Sequence, residues 1–487
     1  MCLIPLLIFA VRPKSIIHLP NFEKKDILKS LCTLIVAIST LLICVEPMDQ
    51  LPLWNGEKPA HRNQYELMAE AILDGRIDFN YGDEDELLKL ENPYDPDERK
   101  AAGVKYHWDH AYYDGHYYMY FGIVPVFLAF LPYRVVTGQA LTTYKATQFF
   151  SALIIIGIFL LFYQLSKRFF KKLPFSVYLT LSVAFSVMSM WYSMAEPALY
   201  CTAITAAIAL MVWSIFFFVL AVYGDHSENK SIILAAVGAL LGALAFGCRP
   251  PIALANIVVL PLLITFIKKR KLNLKLILKL VCAAMPYVLV AVALMAYNYV
   301  RFDDPFEFGQ AYQLTVADQT NYSVTLDTAS LLRIINEGIS NFTATKDIRS
   351  AFPYIKSASV FFNFPILLLC FIGLSGNVIK KLREHKILGL AIGIAASVLV
   401  ITAMDILWTP YLLERYRMDI YFLMGILCFI IIGAWYESAS ESARRCISTL
   451  TVTLGVFTVV SAFLLYVATV GNYYPDNVPM IAKDLGL

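Results

Sequence analysis

Residues 104–125, VKYHWDHAYYDGHYYMYFGIVP, hold the densest set of chemically active side chains in the chain. Two carboxylates, Asp109 and Asp114, lie among aromatic residues there. A carboxylate in such surroundings is a candidate general base, because partial burial raises its pKa and strengthens its hold on an incoming proton. The three histidines of the stretch are His107, His110 and His116. With the aspartates they have the residue types of a divalent-metal site, whereas the neighbouring tyrosine hydroxyls are alternative partners for neutral imidazoles.

A second group of charged residues lies at the ends of long apolar segments. The arginines are Arg249, Arg301, Arg415 and Arg417, and the carboxylates are Asp49 and Glu196. A guanidinium can give a phosphate two parallel charge-assisted hydrogen bonds, so these arginines are candidates for holding an anionic group. The structural alternative is that they snorkel at a membrane surface or pair with neighbouring carboxylates such as Asp303 and Glu414.

The composition of the chain predicts the elements that carry these groups. Of its 487 residues, 59% are hydrophobic and 16% are charged, and the mean hydropathy is +0.62. Soluble domains are about 45–50% apolar and about 25% charged. The composition therefore predicts an all-helical integral membrane protein whose surroundings are a lipid bilayer and which has no nucleic-acid partner. The nine cysteines lie in or beside apolar segments, so they do not indicate a disulfide framework.

The distribution of lysine and arginine predicts the topology. Basic clusters at residues 167–172, 268–271 and 380–386 are typical of cytosolic loops. Residues 122–136 are apolar, but the segment contains two prolines and is shorter than the roughly 20 residues that a spanning helix needs. We therefore expect this segment to lie in the outer interface. About eleven spans result, in a multi-pass protein of the plasma membrane with a cytosolic N-terminus and an extracytoplasmic C-terminus.

The predicted organisation alternates groups of spans with two large outer loops. Residues 1–26 form a cytosolic or interfacial N-terminus, 27–46 the first span, 47–143 the first extracytoplasmic loop, 144–297 spans two to seven, 298–357 the second large loop, 358–470 spans eight to eleven, and 471–487 the outer tail. Within the first loop, residues 63–66, NQYE, resemble a capping box at the start of a short amphipathic helix. Gly75 is placed to end that helix.

An ordered set of short phrases resembles bacterial membrane glycosyltransferases of the GT-C class, of the aminoarabinose-transferase and protein-mannosyltransferase type. The phrases are NQYELMAEAILDGRIDF, ENPYDPDER, WDHAYYDGHYYMYFGIVP, GCRPP, YNYVRFDDPFEFG and LERYRMD. The resemblance implies a GT-C-like helical bundle with a large structured first outer loop. It also implies transfer of a sugar, with inversion, from a polyprenyl-phosphate carrier on the extracytoplasmic face. Some relatives of this class use a divalent ion.

The resemblance also implies roles for individual residues. Such enzymes resemble one another in placing a catalytic carboxylate in the first outer loop, commonly just after the first span, and Asp49 occupies that place. The usual adjacent acidic pair is here spread over residues 46–49, EPMD, so Asp49 and Asp109 both remain candidates for the base. We favour Asp49 by position, with Asp109 then orienting the acceptor or helping to hold a metal. The remaining residues predicted to contact substrate are Arg249, Arg301, Arg415, Arg417, Glu196, Asp114, Trp108 and Tyr113. Trp108 and Tyr113 equally suit an interfacial aromatic belt.

Two other classes of function remain as alternatives. A polysaccharide polymerase or ligase would also act on polyprenyl-linked glycans outside the cytosol, although its largest loop would more typically come late in the chain. A transporter or flippase for lipid-linked sugars would show ionisable groups near the middle of its spans. Here the charged residues gather at the span ends, which argues against transport.

Overall fold

The structure is a computed structural model that describes residues 12, 15–18, 24–45, 63–270, 272–344, 351–355, 358–409, 412–472, 477–484 and 486. Helices dominate this part of the chain, and one two-stranded sheet lies in the first large loop. Asp49, the candidate base favoured by sequence position, lies outside the described residues. The all-α fold class predicted from the sequence is confirmed.

The elements follow one another in this order. The first loop and its approaches contain α1 (Lys24–Val45), α2 (Gln64–Leu73), α3 (Pro96–Ala102), β1 (His110–Tyr113), β2 (His116–Met119) and α4 (Leu131–Thr137), which continues a π-helical turn at Val126–Phe130. The central helices are α5 (Thr143–Phe169), α6 (Phe175–Met188), α7 (Trp191–Ala195), α8 (Leu199–Tyr223), α9 (Glu228–Phe246), α10 (Pro250–Arg270) and α11 (Leu274–Phe302). The last part contains α12 (Thr328–Thr343), α13 (Val360–Asn363), α14 (Gly376–Glu384), α15 (Leu388–Trp408), α16 (Met418–Ser438), α17 (Glu441–Val470) and α18 (Asn477–Asp484). Short 3-10 helices lie at Ile16–His18, Glu84–Lys89, Pro365–Leu374 and Glu414–Arg417.

The protein is a multi-pass membrane protein. Within the described residues, eight helices are long and apolar enough to cross a membrane by length and composition, namely α5, α8, α9, α10, α11, α15, α16 with its preceding turn, and α17. A ninth crossing is added if Pro365–Leu374 and α14, which meet at a bend of 78°, form one broken span. The apolar part of α1 and the 14-residue α6 are shorter than a full crossing. The count of eleven therefore stays a prediction.

Burial divides the spans into a core and a lipid-facing layer. In α8 and α16, 83% and 89% of the most apolar window is buried inside the protein, compared with 11% in α11. A helix that is apolar all round can occupy the centre of a bundle or face lipid, and these three helices show both outcomes. Some buried hydroxyls of the core bond within their own helix, as Thr205 does to the carbonyl of Cys201 at 2.8 Å, and others bond a neighbouring helix, as Ser214 does to the carbonyl of Gly238 at 2.7 Å.

The short apolar helix of the first loop is held by ion pairs. The segment Val126–Thr137 is too short to cross a hydrocarbon core of ~30 Å as a helix. Arg134, at its end, pairs with Glu66 and Glu70 of α2. The predicted cap is present in part, because Asn63 accepts from the backbone amide of Glu66 at 3.3 Å. The Glu66 carboxylate is bonded to Arg134 and to the amide of Leu141, at 2.9 Å, and so links α2 to the start of α5.

The two large loops contact each other through backbone hydrogen bonds, because residues 312–314 of the second form an isolated antiparallel bridge with β1 of the first. The amide of Leu314 donates to the carbonyl of His110 at 2.9 Å, and the amide of Asp109 donates to the carbonyl of Leu314 at 3.0 Å. The amide of Tyr112 bonds the carbonyl of Tyr312 at 2.9 Å. Arg99, with 1% of its surface exposed, donates to the carbonyl of Thr315 at 2.7 Å. This pairing fixes residues 109–113 in space.

A close backbone approach joins the first loop to the helix bundle. The amide of Val124 donates to the carbonyl of Gly247 at 3.0 Å. A Cβ atom on Gly122 would lie 2.2 Å from that same carbonyl oxygen, so only glycine fits there. Two of the phrases singled out in the sequence, FGIVP and GCRPP, therefore contact each other. Arg249 follows this contact by two residues.

Candidate active site

Asp109 is held in an unusual backbone conformation directly before β1. Its φ angle is +58°, in the left-handed region that costs a residue with a Cβ atom about 1–2 kcal/mol and that Asp and Asn adopt more readily than others. Its backbone is fixed on both sides, since its carbonyl accepts from the Gln64 side chain at 3.0 Å and its amide donates to Leu314. A strained conformation held so firmly is typical of functional sites. It directs the carboxylate into a buried position, with 5% of the residue exposed.

Three side chains donate to the Asp109 carboxylate. The hydroxyl of Tyr200, in the first turn of α8, bonds Oδ2. The amide of Gln313 donates to Oδ1 at 2.8 Å, and Trp108 also contributes a side-chain hydrogen bond. Burial raises the pKa of Asp109 above its ordinary value, and these donors together with the charge of Arg415 oppose that rise. The result is a carboxylate that is fixed in place and has a stronger affinity for a proton than a solvated one.

Arg415 is the cation beside this carboxylate. Its guanidinium lies 4.4 Å from the ring centre of Tyr200 and 5.4 Å from that of Tyr416, so aromatic faces hold it. Within the described residues, no carboxylate lies in salt-bridge distance of Arg415. Its hydrogen-bond donors are therefore available to an anion that enters the site. The sequence prediction placed Arg415 among the phosphate-binding residues.

Arg249 also lies over the Tyr416 ring, 5.0 Å from its centre. Its Nε and Nη2 atoms donate to one oxygen of Asp419, Oδ2, at 2.8 and 2.7 Å. The other oxygen of Asp419, Oδ1, is buried without a hydrogen-bond partner in the described part of the chain. Asp405 is close enough to Arg249 and Asp419 for its charge to interact with theirs. Tyr416 thus contacts both the paired Arg249 and Arg415, for which the described residues offer no carboxylate partner.

Glu196 joins the same cluster from the turn before α8. Its carboxylate is hydrogen-bonded to the hydroxyl of Tyr192, and the charge of Arg415 acts on that hydroxyl. The structure therefore brings together four residues predicted from separate parts of the sequence, namely Asp109, Glu196, Arg249 and Arg415. Three of them come from helix ends or turns of the bundle, and Asp109 comes from the first loop.

Two of the predicted phosphate-binding arginines have structural partners instead. Arg301 is 4% exposed and donates to the carbonyl of Met119 and to Oδ1 of Asn298, both at 2.8 Å. It thereby fastens the end of α11 to the end of β2. Arg417 donates from Nε to Oδ1 of Asn341 at 2.8 Å, which links α12 to the start of α16. Position at a span end did not separate these two from Arg249 and Arg415, because the sequence does not show which polar groups face them.

Asp114, predicted to contact substrate, lies instead in the turn of the hairpin. It has a φ angle of +47° and is followed by Gly115 at +78°, the pattern of a two-residue type I′ turn. Its side chain is exposed. One strand of about 3.3 Å per residue separates it from Asp109, so the two carboxylates lie about 16 Å apart along the chain. Tyr113 packs beside this turn, with its ring 4.6 Å from that of Tyr312.

The three histidines do not share a set of ligands. His107 bonds Oδ1 of Asp83 at 3.0 Å, and the exposed His116 bonds Oδ2 of Asp78 at 3.1 Å. His110 contacts the hydroxyl of Tyr81 at 2.8 Å. In the described part of the chain, no group of three or more His, Cys, Asp or Glu is arranged to hold a metal ion. Each imidazole has its own carboxylate or hydroxyl partner, and a metal site at these histidines stays a prediction.

The sequence prediction missed four residues of the cluster: Tyr200, Gln313, Asp405 and Asp419. Asp405 lies in the last turn of α15, and the fully buried Asp419 lies in the first turn of α16. Their position at span ends did not distinguish them from the other charged residues there. Nothing in a single sequence indicated Tyr200 or Gln313.

No protein-family model and no curated protein matches the chain. The crystal structure of ArnT from Cupriavidus metallidurans bound to undecaprenyl phosphate aligns with a TM-score of 0.46 and 13% identity, over 94% of this chain and 79% of that one. The apo crystal structure of the Archaeoglobus fulgidus oligosaccharyltransferase aligns with a TM-score of 0.41 and 11% identity, over 91% and 55% of the two chains. Both are GT-C glycosyltransferases, the class that the sequence resembles. At these values the likeness is one of general architecture, and it says nothing about substrate or chemistry.

Proposed function

We propose that the protein is an inverting glycosyltransferase that moves a sugar from a polyprenyl-phosphate carrier to an acceptor at the extracytoplasmic face of the membrane. The observation that carries this proposal is the buried, strained Asp109 beside the uncommitted guanidinium of Arg415. Glycosyl transfer needs a carboxylate to accept a proton and a cation to stabilise the departing phosphate. This cluster offers both groups.

The reaction that we infer is a single displacement at the anomeric carbon. The acceptor hydroxyl oxygen forms the new bond to that carbon while the bond from carbon to the phosphate oxygen breaks. The proton of the hydroxyl passes to Asp109, and the bonding electrons leave with the polyprenyl phosphate. Tyr200, Gln313 and Trp108 hold the carboxylate still, which lowers the cost of positioning the base during the reaction.

The leaving phosphate gains negative charge as its bond to the sugar breaks. Arg415 is placed to stabilise that charge, because its donors are not bonded to a carboxylate of the described residues. Arg249 adds positive charge beside Tyr416, and its bond to Asp419 fixes its orientation. Arg415 is therefore proposed to contact phosphate, and Arg249 is proposed to reinforce the local potential. Both are partly buried away from bulk water, where a preorganised cation stabilises developing negative charge most strongly.

The location of the cluster suits a donor whose tail stays in lipid. Tyr200, Arg249 and Arg415 all lie at the ends of spanning helices, and ends of this kind lie near the head groups. A carrier with its chain in the bilayer would place its phosphate at this level. Asp49 was predicted as a base from its place in the sequence after the first span. It remains the alternative base, with Asp109 then orienting the acceptor.

The test is reconstitution of the purified protein with a panel of polyprenyl-phosphate sugars, scored by release of polyprenyl phosphate. We expect Asp109→Asn to reduce turnover by about 10²- to 10⁴-fold, because the amide cannot accept the proton. Asn tolerates the same left-handed backbone, so the fold should be retained. Asp114→Asn is the matched control, since Asn-Gly also suits its type I′ turn, and it should keep full turnover.

Three outcomes would count against the proposal. Near-normal turnover of a folded Asp109→Asn protein would remove Asp109 from the role of base and leave Asp49 as the candidate base. Equal losses in Asp114→Asn would show a general effect of loop charge. Absence of polyprenyl-phosphate release with every donor, in an assay validated with a known enzyme, would favour one of the alternative functions.

A further inference from the structure

A polar cavity lies at the end of the bundle opposite Asp109. Helix α8 connects the two places, because Tyr200 in its first turn bonds Asp109 and Val222 in its last turn lines the cavity. A helix of 25 residues is about 37 Å long. The cavity has a volume of about 550 Å³. Its charged and polar lining consists of Arg168, Asp225, His226, Glu228, Lys269 and Arg270.

The two carboxylates of this cavity already have cationic partners. Asp225 accepts from both terminal nitrogens of Arg168, at 2.8 and 2.9 Å, which is the bidentate geometry of a strong pair. Glu228 pairs with Lys279 of α11. Each carboxylate is thus neutralised by a cation other than Lys269 and Arg270.

Lys269 and Arg270 are left as surplus positive charge. In the described residues neither has a carboxylate within salt-bridge distance. Lys269 donates to the carbonyl of Val222 at 2.9 Å, and Arg270 donates through Nη2 to Ser231 Oγ at 2.9 Å and to the carbonyl of His226 at 3.2 Å. An ammonium has three donors and a guanidinium has five, so most of their donors are uncommitted. The positive charges of Arg168, Lys386 and Arg270 act on Lys269, and the negative charge of Asp225 opposes them.

We propose that this cavity binds a phosphate group. A cluster of cations with uncommitted donors, set in a concave site between helix ends, provides the charge and the hydrogen bonds that a phosphate needs. The helix ends place the cavity at the level of the lipid head groups, where an anionic phospholipid would offer its phosphate. A soluble phosphate compound would offer the same chemistry. The alternative is that the two cations only cap the carbonyls at the C-termini of α8 and α10.

Titration of the full-length protein in detergent distinguishes these possibilities. The probes are phosphatidylglycerol, phosphatidylcholine and inorganic phosphate, with bound ligand counted by native mass spectrometry. We expect phosphatidylglycerol to bind more tightly than phosphatidylcholine, because the choline cation is repelled by the surplus charge. Binding of phosphatidylglycerol without inorganic phosphate would assign the site to lipid, and equal binding of inorganic phosphate would assign it to soluble ligands.

Charge-removing variants test whether the named residues form the site. The double variant Lys269→Gln/Arg270→Gln should weaken binding about tenfold or more, since two charge-assisted contacts are lost. Glutamine can still donate to the carbonyls of Val222 and His226, so the helix ends should remain capped. The control Lys380→Gln/Arg383→Gln removes one lysine and one arginine from exposed positions of α14 and should leave binding unchanged.

A gain of affinity provides a test that misfolding cannot imitate. Asp225 has a side-chain exposure of 88%, so Asp225→Asn should be tolerated, and it releases Arg168 from its ion pair. We expect tighter phosphate binding in this variant. Unchanged binding in the Lys269→Gln/Arg270→Gln protein, an equal loss in the surface control, or weaker binding in Asp225→Asn would overturn the proposal. None of these measurements depends on the glycosyltransferase reaction.

Discussion

The side-chain amide of Gln313 donates to Oδ1 of Asp109 at 2.8 Å, and this bond joins two loops whose bonded residues are 204 positions apart. The backbone between residues 312 and 314 pairs with β1 in the same region. The carboxylate proposed as the base is therefore completed by the second loop. Changes in the second loop should affect the chemistry of the first without any direct contact with substrate.

The pH dependence of the reaction should respond to Gln313. Burial raises the pKa of Asp109, whereas the Gln313 amide lowers it by stabilising the charged form. A base must be deprotonated to work, so activity should fall on the acid side of the folded-state pKa. Gln313→Ala removes a stabilising donor and should move that acid limb of kcat/KM to higher pH. The measurement is a pH–rate profile of polyprenyl-phosphate release.

Asn92→Ala is the control for this experiment. Asn92 makes another bond between the two loops, to Oδ2 of Asp318 at 2.8 Å, on the exposed surface. Its loss should loosen the junction without changing the pKa of Asp109. An identical shift in both variants would mean that loop contact, and not the donor to the carboxylate, controls the profile.

Arg415 and Arg301 should differ in what their loss costs. Arg415→Gln should lower kcat/KM by about 10- to 100-fold with little change in melting temperature, because a contact to the leaving phosphate is lost while aromatic packing is partly kept. Arg301→Gln should instead destabilise the protein by about 2–4 kcal/mol, because the carbonyl of Met119 and Oδ1 of Asn298 lose buried, charge-assisted bonds. Turnover per folded molecule should stay near normal. Paired measurements of kinetics and melting temperature separate the two roles, and a folded, fully active Arg415→Gln protein would contradict the assignment.

The contact between the first loop and the bundle should tolerate no side chain at residue 122. In Gly122→Ala the added methyl would lie 2.2 Å from the carbonyl oxygen of Gly247, so one backbone must move. That movement would break the bond from Val124 to Gly247 and shift the neighbouring Arg249. We expect a lower melting temperature together with weaker catalysis.

Gly376→Ala provides the matched comparison for that substitution. A Cβ atom there meets no atom within 4 Å, and alanine at the start of α14 should be neutral or slightly stabilising. Equal melting temperatures for the two alanine variants would show that the Gly122 contact is not as tight as the structure indicates.

Local features of the sequence were predicted better than contacts between distant segments. Asn63 was identified as a cap because its partner is three residues away, and Asp109 was identified because its aromatic surroundings are written next to it. Its donors Tyr200 and Gln313 were missed, since they lie 91 and 204 positions away and single sequences do not show such pairings. The same limit applies to Glu66. Its capping role was predicted from neighbouring residues, but the sequence did not show that its carboxylate would pair with the distant Arg134.

Residue type alone was a poor guide to the role of charged groups. Arg301 and Arg415 both lie at span ends. Arg301 donates to carbonyl and amide oxygens, whereas Arg415 packs against aromatic rings and has no carboxylate within salt-bridge distance in the described residues. Asp114 lies in the densest stretch but serves the hairpin turn, which the Asp-Gly pair already indicated. Asp405 and Asp419 were missed although they also lie at span ends, because the sequence does not show that the charge of Arg249 acts on both.

The side of the membrane on which each loop lies can be tested by labelling single cysteines introduced into a background without native cysteines. Asp85 and Thr320 are exposed residues of the two joined loops, and labelling from outside should reach both. Lys171 follows the basic end of α5, and Glu384 is the last residue of α14. Both are exposed, and only a permeant reagent should reach them. The physical reason is that a 27-residue helix such as α5 is about 40 Å long and carries Lys167 and Arg168 to the opposite surface. Labelling at residue 171 from outside would reverse the orientation of the whole bundle and place the Asp109 cluster and the cationic cavity on exchanged sides.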